Sequence, residues 1–290
     1  MESHGLTHPL LLVVDRTLDG NLAAPIPAGT SAAPRCPPAA DLGALAALPV
    51  ELAQQILLDL DLRSLAAFRT LNRRAADTVD SIPEYRAILR HAPNTLRGAA
   101  AIGADGNLSL RMLHAALRSP ECEACDGLGG HLYLVTCRRL CIACIEYPEV
   151  FQPMRPQDAA QWYGLGGAAL AGLPGMRTVA GRYAAGWCGA ATRAVAGGVV
   201  LLDRDSVLRA ARALHGGQWE MGKFFYDRLY DCRVAANERL ERPVQVSLDQ
   251  LENSLWESTD WARFVAVIRV PWLKTLHEAE GVAERNLNDD

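Results

Sequence analysis

The chain has 290 residues, a formal net charge of -4 and an apolar fraction of one half, with a pI near 6.0. That length builds one large domain or two to three small ones, and it carries enough apolar residues for real cores. A mildly acidic chain lacks the basic footprint of a dedicated nucleic-acid binder. The run Pro9-Leu10-Leu11-Leu12-Val13-Val14 is far too short to span a bilayer, and it has neither a cationic flank nor a small-residue cleavage site. The expectation is a chain with no membrane contact in a reducing compartment, cytoplasmic and/or nuclear, where thiols stay free.

In chain order, residues 1–43 hold six of the 16 prolines between Ala, Gly, Ser and Thr. A stretch without helical or strand period cannot bury enough to offset its ordering entropy, and it reads as a disordered leader. From Leu48 the pattern changes. Pro49 suits a first helical position, and Leu48, Leu52, Ile56, Leu57 and Leu60 form the wide apolar stripe of an amphipathic helix. Short helices follow: Ser64 to Thr70 with Ser64 as N-cap and Leu65 and Phe68 on one side, then one from Asn72 that ends at Ile82-Pro83. Another piece runs from Glu84 to His91. Residues 44–95 therefore read as a small helical domain.

Residues 107–117 carry Leu110, Leu113 and Leu117 in helical phase and lead into the most informative feature of the sequence. Five of the eight cysteines, Cys122, Cys125, Cys137, Cys141 and Cys144, fall within 23 residues. Cys122-Glu-Ala-Cys125 and Cys141-Ile-Ala-Cys144 are two CxxC pairs with 15 residues between them. Each CxxC turn sets two thiolates on one side of a tight loop, and two such knuckles close a tetrahedral four-sulfur site, the structural zinc arrangement. Gly127 stands where a glycine lets a knuckle backbone curl. His131 to Cys137 alternates like a short strand, and the second pair opens a short helix through Ile145. Two alternatives stay open at this point: Cys137 in place of Cys141, and His131 as a fourth ligand. Otherwise Cys137 is a small buried hydrophobe on the strand. Residues 107–150 thus read as a helix plus a zinc module, with no open position for catalytic water.

The rest, 151–290, reads as an α+β region with a frayed tail. It has a Gly- and Ala-rich stretch to about residue 198, helices from Asp205 and Trp219, and a strand from Arg263 to Val270. Gly164 to Gly175 lacks the Gly-Lys-Ser/Thr ending of a phosphate loop, and no Ser sits in a Gly-x-Ser-x-Gly elbow. His215 is expected to cap the last carbonyls of its own helix, and Asp203 and Asp205 suit a helix start. Trp256 and Trp261 read as core or partner surface. No constellation of catalytic residues emerges.

Taken residue by residue, Leu48-Pro49, Glu51-Leu52, Ile56-Leu57, Leu60, Leu65, Phe68 and Asn72-Arg73 resemble an F-box, and Ser81 to Arg86 resembles its tail in a group of filamentous-fungal proteins. In that group a CxxC–Gly–strand–Cys–x3–CxxC module follows, as stands at Cys122 to Cys144. Leu173-Pro174-Gly175, Leu214 to Gly217 and Arg263 to Leu273 are similar to later segments of the same group. The resemblance implies a mainly α fold: a three-helix F-box, a small zinc module with a short strand and helix, and an α+β C-terminal region. It implies a non-catalytic substrate receptor with structural zinc. The F-box would bind a Skp-family adaptor and so tether an unknown substrate protein to a cullin–RING ubiquitin ligase. Leu48, Pro49, Ile56, Leu57 and Leu60 are the expected adaptor contacts, with Leu52, Leu65 and Phe68 shared with the internal core. The alternative is a zinc-ribbon protein that binds nucleic acid or protein without ligase coupling.

Overall fold

Proline and short polar side chains cut the first half of the chain into brief helices. The structure, a computed structural model, describes residues 17–23, 42–146, 151–184, 192–239 and 262–270. Six helices come first: α1 (Val50–Asp59), α2 (Leu62–Leu71), α3 (Arg73–Ser81), α4 (Pro83–His91), α5 (Pro93–Ile102) and α6 (Leu110–Arg118). Five of the six starts have a clear chemical cause. Asp61 accepts from Ser64 N at 2.8 Å and Asn72 from Ala75 N at 2.9 Å, while Ser109 Oγ caps Met112 N. Pro83 and Pro93 occupy first-turn positions, where a missing N–H costs nothing. Pro49 is the N-cap of α1 rather than its first residue, and the cap of α2 is Asp61 rather than Ser64.

A hairpin follows, β1 (His131–Tyr133) against β2 (Arg138–Leu140), then the short helix α7 (Ile142–Glu146). Beyond it lie α8 (Pro156–Tyr163), α9 (Gly167–Ala171), β3 (Gly175–Arg177), β4 (Gly181–Ala184), β5 (Thr192–Val195), β6 (Val200–Leu202), α10 (Arg204–His215) and α11 (Gln218–Arg239). The last described element is β7 (Val267–Arg269). The molecule is thus mainly helical with small antiparallel sheets, ordered β2-β1-β7, β3-β6 and β4-β5. The strand expected over Arg263 to Val270 narrows to β7, whose first partner is β1 (Leu132 opposite Ile268).

The chain divides into two compact units, one of residues 1–21 and 142–266 and the other of 22–141 and 267–290. Helices α1 to α6 and the β1–β2 hairpin therefore fall within one unit, which takes in the stretch 44–95 and the first part of the stretch 107–150 read from sequence. Helix α5, which the sequence patterns do not reveal, fills the gap between them. Leu57, Leu65, Val79, Ile82, Ile88, Ile102, Leu110 and Leu113 are buried in this unit. An Arg111–Asp59 ion pair ties α6 to α1 at 2.5 Å, and Leu62 N donates to Leu108 O at 2.8 Å.

The other unit packs Trp162 and Tyr163 of α8 against Phe225 of α11, with Met154, Leu202 and Val207 around them. Tyr163 and Phe225 stack with centroids 5.7 Å apart. His215 does not cap its own helix; its Nε2 lies 2.9 Å from the carbonyl of Tyr163, at the end of α8. Asp203 caps α10, accepting from Ser206 N at 2.9 Å and Ser206 Oγ at 2.6 Å. Part of the expected leader is held here too. Thr17 and Leu18 are buried, and Asn21 exchanges hydrogen bonds with the backbone of Arg182. The residues Pro9 to Val14, Cys36, Cys188, Trp256 and Trp261 lie outside the described residues.

Candidate metal centre and apolar helix face

The first cysteine pair forms a loop closed on itself. Cys122 N donates to Gly127 O at 2.6 Å, and Asp126 N to Cys122 O at 2.8 Å. The left-handed residue that this curl needs is Asp126 (φ 58), not Gly127. Aspartate tolerates that region better than most side chains. The second pair runs from Cys141, just after β2, into α7. The ligand atoms of Cys122, Cys125, Cys141 and Cys144 all lie within 4.8 Å of one another, and the Cys125 and Cys141 sulfurs are 3.8 Å apart. Thiolates about 2.3 Å from a tetrahedral ion stand about 3.8 Å from each other, so this donor set fits a closed four-sulfur metal site. Cys122 is buried and Cys125 exposed. Burial pushes the Cys122 thiol up, but the amides of Cys141, Ala124 and Cys125 facing its sulfur outweigh this and bring it to about 7.

Cys137 stands outside the four-sulfur group. It occupies the hairpin turn in the left-handed region (φ 57) rather than a strand, and it is buried. Burial first, and then the neighbouring Glu123 carboxylate, push its thiol up to about 12, which keeps it protonated. His131 begins β1 and is also outside the group. Cys137→Ser is accordingly expected to leave metal content unchanged in elemental analysis of the purified protein.

Sequence reasoning missed the residue that fastens this loop to the helices. Arg139, 1% exposed, donates from Nε to Gly129 O at 2.7 Å and from Nη1 to Leu117 O at 3.0 Å and Ala116 O at 3.3 Å. Those last two carbonyls belong to the final turn of α6, which has no intrahelical donors for them. A positive guanidinium there also complements the helix dipole. Glu123, inside the first CxxC, accepts from Arg139 N at 3.0 Å and pairs with Arg138 at 3.3 Å. Gly129 leaves the space for this arrangement: a Cβ there would sit 2.8 Å from Arg139 Cγ and 3.1 Å from the Glu121 carbonyl. An Arg followed by a hydrophobic residue after a strand carries no sequence signal that it is buried. Arg139→Met strands three carbonyls, and we expect urea unfolding to show a loss of about 3 kcal/mol.

The second feature is the surface of α1. Leu48 is 37% exposed, Leu52 53% and Ile56 46%; Val50 is exposed as well, and so is Pro49. Spaced four apart, Leu52 and Ile56 share one face of α1, while Leu48 and Pro49 are extended residues just ahead of its first turn rather than part of the helical stripe expected from spacing. Leu57 and Leu65 are buried in the unit's own core, and Leu60 and Phe68 are half-buried. The structure thus divides the eight residues differently from the pattern: Leu52 joins the outward group and Leu57 the inward one. The turn of one residue, from Ile56 to Leu57, moves a side chain about 100° round the helix.

No protein-family model matches this chain, and neither the curated proteins nor the solved structures supply a match. Among the described residues no helix is long and apolar enough to cross a membrane.

Proposed function

We propose that the chain is an F-box substrate receptor, a non-catalytic subunit that docks a Skp-family adaptor through α1 and carries a structural zinc ion on Cys122, Cys125, Cys141 and Cys144. The observation that carries the reading is the outward row Leu48, Pro49, Val50, Leu52 and Ile56. A helical unit that hides Leu57 and Leu65 while leaving this row in solvent has the composition of a partner face rather than of a core. The resemblance of residues 48–86 to an F-box names the partner. Four cysteine thiolates favour zinc among biological divalent ions, and a closed donor set makes it structural.

Charge weighs against the nucleic-acid alternative. The only basic pair in the cysteine segment is Arg138-Arg139; Arg139 is buried, and Arg138 faces Glu123. Phosphate binding needs exposed cations, and this segment also carries Glu121, Asp126 and Glu146. The two readings separate in one experiment. The tagged full chain should co-purify with Skp-family adaptor and cullin from a eukaryotic lysate and pass through a DNA column at about physiological salt. Salt-dependent retention on DNA without adaptor would reverse the choice.

A further inference from the structure

A second feature of the helical unit lies apart from the α1 row. Between α2, α3, α4 and α5 there is a cleft of about 250 Å³. Its floor is the buried trio Leu62, Leu65 and Val79, and Ala66 and Ala100 stand at its mouth. An apolar cavity of about 150 Å³ holds a benzene ring, so this one holds a compact body of about ten non-hydrogen atoms. Its charged lining residues are already neutralised. Arg69 makes a two-point pair with Asp80 at 2.8 and 3.0 Å, and Asp105 receives Arg63 at 2.7 and 3.3 Å. A charged guest would meet no free counter-ion and would lose its hydration.

Hydrogen bonding then sets the remaining chemistry. The Thr70 hydroxyl donates to Ala67 O at 2.7 Å and is spent. Tyr85, the other hydroxyl of the lining, has no hydrogen-bond partner among the described residues. Burial raises its pKa above the ordinary phenol value, so it remains a neutral donor. Apolar walls with a small number of polar groups are the usual make-up of a small-molecule site.

We infer that this cleft binds an uncharged, compact ring compound of about ten non-hydrogen atoms that carries one carbonyl-type acceptor for Tyr85. The test uses three probes of one skeleton on the full chain, followed by carbon–proton NMR of Leu and Val methyl groups. 1-Indanone has the body and the acceptor, indane has only the body, and indane-1-carboxylate adds a charge. 1-Indanone should shift the methyls of Leu62, Leu65 and Val79 and saturate with a Kd below about 1 mM. Indane should bind the same place about five-fold more weakly, and the carboxylate at least about ten-fold more weakly.

Two variants locate the effect. Ala100→Leu narrows the mouth and should weaken both neutral probes at least about ten-fold. Tyr85→Phe should leave indane binding unchanged and abolish the preference for 1-indanone, and it serves alone if Ala100→Leu fails to fold. The inference is overturned if neither neutral probe shifts these methyls up to about 10 mM, or if the carboxylate binds best. An unchanged 1-indanone preference in Tyr85→Phe overturns the acceptor contact. Displacement of 1-indanone by purified Skp-family adaptor would assign the cleft to a protein partner instead.

Discussion

Cys125→Ser is expected to purify with less than about a tenth of the zinc of the wild-type chain, which itself should carry about one ion per molecule. The reason is the geometry of the knuckles. Cys125 is the most exposed of the four cysteines, so a serine there leaves no cavity in a core. What it supplies is a thiolate 3.8 Å from Cys141 Sγ. Without it the proposed ion would keep three protein ligands and an open position, and a closed site would become a labile one. Structural zinc contributes on the order of 10 kcal/mol of apparent folding free energy, so its loss should melt the segment it crosses. Hydrogen exchange should show where that melting stops. The amides of Cys122 to Gly127 and of Cys141 to Cys144 should lose protection. The β1–β2 hairpin should keep more, because β7 pairs with β1 and Arg139 anchors β2 to α6. Cys137→Ser, outside the four-sulfur group, is the matched control.

Leu48→Ala combined with Pro49→Ala should abolish adaptor binding and leave the chain folded. Neither residue is in the core of the helical unit, so truncation creates no internal cavity. Hot-spot side chains at protein interfaces cost at least about 2 kcal/mol each when truncated, and two together exceed a hundred-fold in affinity. Extending the change to Leu52→Asp and Ile56→Asp places charge on the same outward face and should act in the same direction. Leu57→Ala is the opposite case. That side chain is 2% exposed, and its loss should destabilise the unit by about 2–5 kcal/mol in chemical denaturation. A loss of adaptor binding in Leu57→Ala should therefore track unfolding, whereas in the Leu48/Pro49 variant it should not.

Local pattern made much of this legible. The helices α1 to α4 and α6 follow from apolar spacing and from Pro and Asn punctuation, and the clustering of Cys122, Cys125, Cys141 and Cys144 follows from CxxC arithmetic. Strand β7 was visible as a Val/Ile/Phe run. What stayed hidden is tertiary. Helix α5 is an Ala/Gly-rich segment whose burial, at Gly98, Ala99 and Ile102, depends on neighbours rather than on a strong stripe. Strand β2 is three residues, Arg-Arg-Leu, with nothing in its composition that marks a strand. All three residues of β1 are buried, so the expected inside-outside alternation does not apply to this central strand. Spacing, which knows only sequence neighbours, points His215 to its own helix end; its partner, Tyr163, is 52 positions away. Residues 17–21 read as unstructured because the Asn21–Arg182 bonds that hold them span 161 positions.

The exposed row on α1 and its proposed partner decide the account. Co-expressing the full chain with a Skp-family adaptor and measuring the product by size-exclusion chromatography with light scattering tests this most directly. We predict a stable 1:1 complex for the wild type and for Cys137→Ser, and separate elution for Leu48→Ala/Pro49→Ala with its circular dichroism unchanged. Separate elution of the folded wild-type chain, or a complex that survives the double substitution intact, would contradict it.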